Sequence, residues 1–430
     1  MSIRLSIVLH THMPYVEGFG TWPFGEEWLW EAIATSYLPL LDLLDERPGR
    51  MTLSITPVLA DQLEADGVLE RCLAFLRDVR PASHALDLAE APSAALEYSA
   101  ARYAQAAAAL ERRGDLLDAF APHVSWTSSA THAVLPLLAT DAGVRLQVET
   151  GVEAFRTRFG TWDGGFWLPE CAHAPWLDRL LAEAGVHVTC VDWTDVLGPD
   201  DHAPRLSAAG IALLPLDRAA IDRVWAPDGY PAHGAYRDTR RLTARAHQAW
   251  AVDGTPYDPD RAAEQAAADA RDFLWHLQRD TLVAFDTELF GHHWHEGVTF
   301  LRAVLEQADA AGVELAPPVV EDPRPAPDPP PTSWGNGRDL RTWSGELAWA
   351  QRAAELAALG GAASERALRE LLALQSSDWA FLIDAGTAGD YPRERFEGHR
   401  AAFLAALAGE GAPELRNLAP RPAKWAFVQP

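Results

Sequence analysis

The sequence predicts an α/β protein in which a parallel strand–helix barrel carries a helical insertion and precedes a helical C-terminal domain. Three features of the 430 residues support this prediction. Short apolar runs alternate with helical stretches up to residue 315, one internal stretch shows helical spacing alone, and the residues after 332 contain no strand pattern.

The predicted strands are short apolar runs that end in polar or turn residues. Helical stretches separate most of them, and strand followed by helix is the order of a parallel barrel. The seven runs span residues 3–10, 52–56, 124–127, 165–168, 186–192, 211–216 and 281–285.

Three segments divide the chain into a catalytic barrel domain at 1–315, a connector at 316–332 and a helical domain at 333–430. The helical insertion spans about 61–113, where Ala, Leu, Glu and Arg recur at helical spacing. The connector is too rich in proline for a helix or a central strand. Helices are predicted after it, at 346–358, 364–383 and 393–407.

Charge and cysteine content limit the partners and the compartment. The 36 basic and 61 acidic residues give a net charge of −25, which repels nucleic acid and anionic membrane surfaces. Cys72, Cys171 and Cys190 are widely spaced in apolar surroundings, which favours reduced thiols. With no cleavage-type signal and no long apolar span, we expect a soluble cytoplasmic protein; the sequence leaves its oligomeric state open.

Tryptophan is unusually frequent, with 17 residues in the chain. The flat indole face matches the CH face of a sugar ring, so this surplus indicates carbohydrate stacking. Ordinary core filling is the alternative for any single tryptophan.

Polar residues that directly follow strands are the candidates for an active site, because the carboxyl ends of barrel strands share one face. Four such places together supply carboxylate, imidazole and indole groups. They are residues 10–15, 131–132, 167–173 and 286–297.

Two carboxylates stand out, since Glu170 and Asp286 each follow an apolar strand. Retaining glycoside hydrolysis uses one carboxylate as nucleophile and another as general acid/base, about 5–5.5 Å apart. The alternative for Asp286 is a helix cap. Pro169 makes capping less natural for Glu170.

The histidines leave a second interpretation open. A zinc or similar site could form from His10, His12, His292, His293 and His295 with Asp286, as in metal-dependent polysaccharide deacetylases, which use related barrels. The alternative is that these histidines are hydrogen-bonded wall residues, and Pro14 indicates that the first strand has already ended by then. We expect no metal and no cofactor.

The order of the motifs resembles glycoside hydrolase family 57 and, within it, the 1,4-α-glucan branching enzymes. The resemblance covers most of the chain and implies an incomplete (β/α)7 barrel, a helical insertion and a C-terminal helical domain. The six motifs are HTHMPYV from 10, THAVLPLL from 131, WLPECA from 167, DTELFGH from 286, SWGNG from 333 and QSSDW from 375.

Matched motif by motif, the resemblance implies a nucleophile at Glu170 and an acid/base at Asp286. It implies that His10, His12 and His132 line the sugar subsite beside the scissile bond. It also implies glucan contacts from Trp334 and Trp343 on the acceptor side, and a polar contact from Asp378.

Further expected substrate contacts come from weaker matches. Tyr236 is the candidate for a reaction-centre tyrosine carried by the loop after residue 231, although that loop is short here. Arg241 and Gly254 match family substrate contacts. Trp22 and Trp28 are expected to stack against sugar on chemical grounds.

The expected activity is branching of an α-1,4-glucan such as amylose or glycogen. The short loop, together with His293 and His295 at positions usually aromatic in branching members, keeps an α-1,4-glucan hydrolase or a 4-α-glucanotransferase as alternatives.

Overall fold

The computed structural model of the protein describes residues 3–20, 24–359, 363–411, 415 and 417–427. Its strands are β1 Ile3–Thr11, β2 Thr52–Ile55, β3 Val124–Ser128, β4 Phe166–Trp167, β5 Val188–Val191, β6 Arg205–Leu206, β7 Ala212–Pro215, β8 Thr281–Asp286, β9 Val313–Leu315 and β10 Arg324–Pro325. The seven predicted strands are confirmed within a few residues. The two- and three-residue strands β6, β9 and β10 were not predicted, because so short a segment shows no periodicity.

Seven strands curl into an incomplete barrel, as predicted. Five of them run parallel in the order β4-β3-β2-β1-β8. A bridge from Gly165 to Val188 leads from the start of β4 to β5, which pairs in parallel with β7. Between β7 and β8 the described residues form no ladder, but the Asp217 N–H donates to the Leu282 carbonyl at 2.8 Å.

Helices surround this sheet and continue after it. They are α1 Glu26–Ala32, α2 Leu38–Glu46, α3 Pro57–Leu63, α4 Val68–Ala74, α5 Arg80–Glu90, α6 Ala94–Arg113, α7 Leu116–Phe120, α8 Asp141–Phe159, α9 Leu177–Glu183, α10 Thr194–Leu197, α11 Arg218–Trp225, α12 Pro259–Trp275, α13 Gly297–Gln307, α14 Glu346–Leu359, α15 Glu365–Leu374, α16 Asp378–Ala385 and α17 Tyr391–Leu407. π-Helical turns, Ile33–Tyr37 and Phe75–Val79, join α1 to α2 and α4 to α5. None of the described helices is long and apolar enough to cross a membrane.

The single helix predicted at 364–383 is wrong, because residues 375–377 interrupt it between α15 and α16. The Ser376 hydroxyl donates to the Asp378 carboxylate, and the Ser377 N–H donates to the His132 carbonyl at 3.1 Å. Serine and aspartate side chains compete with helical hydrogen bonds in this way. The interruption brings Ser377 and Asp378 to the carboxyl ends of the barrel strands.

A shared buried cluster fixes the C-terminal helices to the barrel. Leu371, Trp379 and Phe403 from these helices pack with Tyr15 and Leu146 of the barrel. Apolar burial of this kind contributes about 25 cal/mol per Å². The relative position of α16 and the strand ends is therefore fixed by packing, while the domain boundaries at 315 and 332 remain predictions.

Candidate active site

The predicted site residues meet where β1, β4 and β8 end and α16 begins, and this region is called the cleft. His10 and Asp286 are register partners on β1 and β8, so their side chains leave neighbouring strands at the same level. Glu170 follows β4, and the Ser377 hydroxyl of the C-terminal region donates to it at 3.2 Å. The two predicted carboxylates thus border one cleft.

The Glu170 backbone has φ 61° and ψ 21°, and Cys171 follows with φ 48°. Non-glycine residues in this left-handed region cost of the order of 1 kcal/mol or more and occur mainly where surrounding contacts hold them. Here the Trp334 N–H donates to the Glu170 carbonyl at 3.0 Å. The strained turn directs the carboxylate from the strand end into the cleft.

Two side chains also hold the Glu170 carboxylate. Trp334 Nε1–H donates to Oε2 at 2.9 Å, and the Ser377 hydroxyl donates to Oε1. Burial raises the pKa of Glu170 to about 6, and the hydrogen bond from Trp334 opposes this rise. The carboxylate is ionised at neutral pH and fixed in position, as a nucleophile must be.

Asp286 ends β8 and differs from Glu170 in having an exposed side chain. Within the described part of the chain, no hydrogen bond or ion pair reaches its carboxylate, and it makes no side-chain cap to the turn that follows. The helix-cap alternative is therefore wrong. Although solvent reaches the side chain, the surrounding protein atoms partly desolvate the carboxyl group. This desolvation and the nearby negative charge of Glu170 raise the pKa of Asp286 to about 7.

Three imidazole rings form a stack beside these carboxylates. The ring centroids of His12 and His132 are 4.0 Å apart, and those of His10 and His132 are 4.9 Å apart. Trp167 stacks on His10 with ring centroids 4.8 Å apart. The three predicted subsite histidines are thus brought together.

A directional hydrogen-bond chain runs through two of these rings to Glu170. Ser377 donates to Glu170, so His132 Nδ1, at 2.9 Å from the Ser377 hydroxyl, carries the hydrogen. His132 Nε2 then accepts from His10 Nε2–H at 2.9 Å, and His10 Nδ1 accepts from the Ser54 hydroxyl at 2.9 Å. Both rings must be neutral, and burial lowers the pKa of His10 and of His132 well below the ordinary value.

The pKa of His12 shifts in the opposite direction from those of His10 and His132. Burial alone would lower its pKa, but the Asp378 carboxylate, 2.9 Å from Nε2, outweighs burial and raises it. His12 Nδ1 lies 3.1 Å from the Thr56 hydroxyl. His12 and Asp378 form a polar pair at the edge of the cleft that can contact sugar hydroxyls.

One group within the described residues has ligand atoms close enough to hold a metal ion, namely His12, His132 and Asp378, with all atoms within 4.8 Å of one another. The larger histidine set suggested by the sequence does not assemble. His292 Nδ1 contacts the Thr35 hydroxyl at 3.4 Å, and His295 Nδ1 contacts Arg237 at 3.5 Å.

Sequence reasoning missed Glu288 and Ser377, although both lie inside motifs it used. Glu288 Oε1 accepts hydrogen bonds from the Tyr37 hydroxyl at 2.5 Å and from the His12 N–H at 3.1 Å. Burial raises the pKa of Glu288 to about 8, so it is largely protonated at neutral pH. Their only sequence signal is adjacency to Asp286 and Asp378.

The predicted tryptophan contacts divide into three cases. Trp334 holds Glu170 and packs edge-to-face on Trp167 at 5.0 Å. Trp343 is only 3% exposed and packs with Val134 and Ala172. Its ring therefore belongs to a small apolar cluster and has no open face for stacking on a sugar. Trp28 is partly buried against the core, and Trp22 lies outside the described residues.

The side chain of Tyr236, for which a reaction-centre role is predicted, is fully buried. Its hydroxyl donates to the Asp269 carboxylate on α12, and its ring packs on Trp294 at 5.3 Å. The short segment folds back on itself, since the Val252 N–H donates to the Tyr236 carbonyl at 2.8 Å. This hairpin directs Tyr236 into the core.

Arg241 and Gly254 lie in the same hairpin and contact each other. Arg241 Nη1–H donates to the Gly254 carbonyl at 3.3 Å, and the guanidinium stacks 4.3 Å from the Trp250 ring. Neither residue hydrogen-bonds to a cleft side chain in the described structure. Their substrate contacts remain predictions.

Paired carboxylates at the strand ends of an incomplete barrel define a carbohydrate-active enzyme of the glycoside hydrolase type. A family model described as glycosyl hydrolase family 57 matches residues 125–319, and one described as 1,4-alpha-glucan branching enzyme, C-terminal, matches 346–416. The chain belongs to glycoside hydrolase family 57.

Three relatives illustrate the similarity. A probable 1,4-alpha-glucan branching enzyme of Mycobacterium tuberculosis is 32% identical, over 96% of this chain and 94% of that protein. The 1,4-alpha-glucan branching enzyme of Thermococcus kodakarensis is 30% identical, over 93% of this chain and 72% of that protein. The crystal structure of the GH57-type branching enzyme of Pyrococcus horikoshii superposes with a TM-score of 0.85 and 29% identity, covering 93% of this chain and 88% of that one.

Proposed function

We propose that the chain is a 1,4-α-glucan branching enzyme that cleaves an α-1,4 bond and transfers the released chain to a glucan 6-hydroxyl with net retention. The branching relatives and the matched branching-enzyme C-terminal segment support the substrate and the activity. The substrate is an α-1,4-glucan, and the product is a storage glucan of the glycogen type.

In the first step, protonated Asp286 donates its proton to the glycosidic oxygen while Glu170 attacks the anomeric carbon. The glycosidic C–O bond breaks, the acceptor-side chain leaves as an alcohol, and a β-linked glycosyl ester forms on Glu170. Fixing of Glu170 by Trp334 and Ser377 keeps the attacking oxygen aligned.

In the second step, ionised Asp286 takes the proton of an incoming hydroxyl, whose oxygen displaces Glu170 from the anomeric carbon. A glucan 6-hydroxyl gives an α-1,6 branch, a 4-hydroxyl gives disproportionation, and water gives hydrolysis. Both carboxyl groups return to their initial states, so acceptor positioning alone selects the product.

The observation that carries the proposal is the difference between the two carboxyl groups. Glu170 is held by hydrogen bonds from Trp334 and Ser377, whereas the Asp286 carboxylate has no hydrogen-bond partner among the described residues. Burial raises the pKa of both carboxyl groups, and the negative charge of Glu170 raises that of Asp286 further, which favours Asp286 as the group that holds the proton. Environments that separate two carboxyl pKa values in this way assign the acid and the nucleophile.

We further propose a reducing, cytoplasmic location. Cys72, Cys171 and Cys190 are buried and unpaired. Buried free thiols without a disulfide are typical of reducing compartments.

The test is incubation with amylose, with α-1,6 and α-1,4 linkages counted by proton NMR and reducing ends counted in parallel. The proposal predicts new α-1,6 linkages with few new reducing ends, and their loss in Glu170→Gln. Reducing sugar without branches would establish a hydrolase, and redistributed chain lengths without branches a 4-α-glucanotransferase. Activity that disappears after chelation and returns with a divalent metal would instead support the metal-dependent alternative.

A further inference from the structure

A cavity lies outside the cleft, between α1, α5, α6, the 236–257 hairpin and the loop before α13. Its volume is about 220 Å³. No residue of the cleft described above lines it. The ionisable side chains that line it are Glu31, Arg80, Arg102, Tyr103, Arg237, His247, His292 and His295.

Arg237 brings to this cavity a buried positive charge whose hydrogen-bond donors are largely unused. The residue is 7% exposed, its guanidinium lies 4.6 Å from the Tyr257 ring, and no described carboxylate forms an ion pair with it. Nε and Nη2 have no acceptor among the described residues, and Nη1 reaches only His295 Nδ1 at 3.5 Å. A buried, unpaired guanidinium is costly unless a counter-charge joins it.

Arg102 adds a second positive charge to the same wall. It is half-buried on α6, lines the cavity and forms no ion pair within the described residues. Its charge and that of Arg237 act on the same side chain, because both lower the pKa of His295 after burial has done so. The two guanidinium groups therefore face a common region.

The remaining charges offset these two only in part. Arg80 pairs with Glu31 at 2.6 Å, and Glu31 is the only acidic residue among the described residues that line the cavity. Glu296 accepts a hydrogen bond from the Arg237 backbone N–H at 3.2 Å, and its charge acts on the Arg237 guanidinium. Burial lowers the pKa of His292 to about 3, so that ring adds no charge at neutral pH. A net positive cavity in a chain of net charge −25 is a selective place for an anion.

We propose that this cavity binds a small molecule through an oxyanion group, a phosphate or a carboxylate. Arginine presents several N–H donors in a planar fork that matches two oxygens of either group. The cavity volume of about 220 Å³ is many times the roughly 10–15 Å³ that one water molecule needs. The cavity can therefore hold a ligand of the size of a sugar. This site is independent of the branching chemistry in the cleft.

The experiment is calorimetric titration of the full chain at pH 7.5 and constant ionic strength, set with sodium chloride. The probes are inorganic phosphate, glucose 1-phosphate and gluconate, with maltotriose as the neutral control. The variants are Arg102→Gln and, on the same helix but outside the cavity, the exposed Arg112→Gln as matched control. Arg237→Lys provides a second variant that keeps the charge but loses the fork.

We expect saturable binding of at least one anionic probe, weakened about tenfold or more in Arg102→Gln and unchanged in Arg112→Gln. Binding by both phosphates but not gluconate identifies a phosphate site, and the reverse identifies a carboxylate site. The proposal is overturned by no anion binding, by equal binding in Arg102→Gln, or by maltotriose binding that depends on Arg102 to the same degree.

Discussion

The two sides of the cleft are built differently. On the β4 side, Glu170 sits in a strained left-handed turn and accepts hydrogen bonds from Trp334 and Ser377. On the β8 side, Asp286 continues an ordinary strand, is exposed and has no partner in the described structure. The first carboxylate is held for attack, whereas the second is free to exchange a proton with substrate.

This difference corresponds to the two chemical tasks of a retaining mechanism. A nucleophile gains from fixed position and from donors that favour its ionised form. An acid/base must change its protonation twice in each cycle, so strong fixed partners for one form would hinder it. Substitutions on either side of the cleft test this difference, and their expected effects on activity range from large to small.

Asp286→Asn removes the proton donor but leaves the hydrogen bonds to Glu170 in place. We expect turnover of amylose to fall by about 10³-fold, because general acid/base catalysis contributes about 10² to 10⁴. A donor with a good leaving group, which needs no protonation, should lose much less in the first step. The measurement compares kcat on amylose and on glucosyl fluoride, with exposed Glu306→Gln as the control. Equal losses on both donors would contradict an acid role.

The pH profile tests both sides together. Activity requires ionised Glu170 and protonated Asp286, so kcat/KM should rise through about pH 6 and fall through about pH 7. Beyond each limb the rate should change about tenfold per pH unit. A profile that keeps rising above pH 8 would contradict the assignment of the acid.

Trp334→Phe removes one of the two side-chain hydrogen bonds that hold the Glu170 carboxylate. The indole hydrogen bond lowers the pKa of Glu170, so its loss should raise that pKa and move the acidic limb to higher pH. Loss of one hydrogen bond to a charged group costs about 1.5–3 kcal/mol, which predicts a fall in kcat of roughly 10- to 100-fold. The control is Trp275→Phe, since Trp275 is 83% exposed. A lower rate with an unmoved acidic limb would show a purely structural role for Trp334.

Tyr236→Phe should leave both sides unchanged. The hydroxyl donates to Asp269 inside the core, so its loss should lower the free energy of unfolding by about 1–2 kcal/mol. The ratio of branches to new reducing ends, counted by NMR, should remain that of the parent chain. A shift of this ratio toward new reducing ends would show that Tyr236 acts at the reaction centre.

The parts that the sequence predicted are those controlled by local pattern. Apolar runs located the seven barrel strands, and the polar residues after them located Glu170 and Asp286. Motif resemblance added His132, Trp334 and Asp378, which the structure places around the cleft. Glu170 and Asp286 follow strands directly, and the short apolar runs of those strands mark where they end.

The parts that were missed depend on contacts distant in sequence. Tyr236 is buried because a hairpin folds back onto α12, and no local signal distinguishes that path from one into the cleft. The break at 375–377 arises where Ser377 bonds to the barrel residue His132, although the apolar spacing there is helical. The Glu288 carboxyl group accepts a hydrogen bond from the Tyr37 hydroxyl, and the two residues are 251 positions apart in the sequence.

The most direct measurement is mass spectrometry of Asp286→Asn quenched during turnover of glucosyl fluoride. The activated donor can form the glycosyl ester without an acid, while the missing base slows its removal, so the intermediate should accumulate. The account predicts one glucosyl group on the peptide that contains Glu170, and none in Glu170→Gln carrying the same second change. An adduct on another residue, or turnover with inverted anomeric configuration and no adduct, would contradict it.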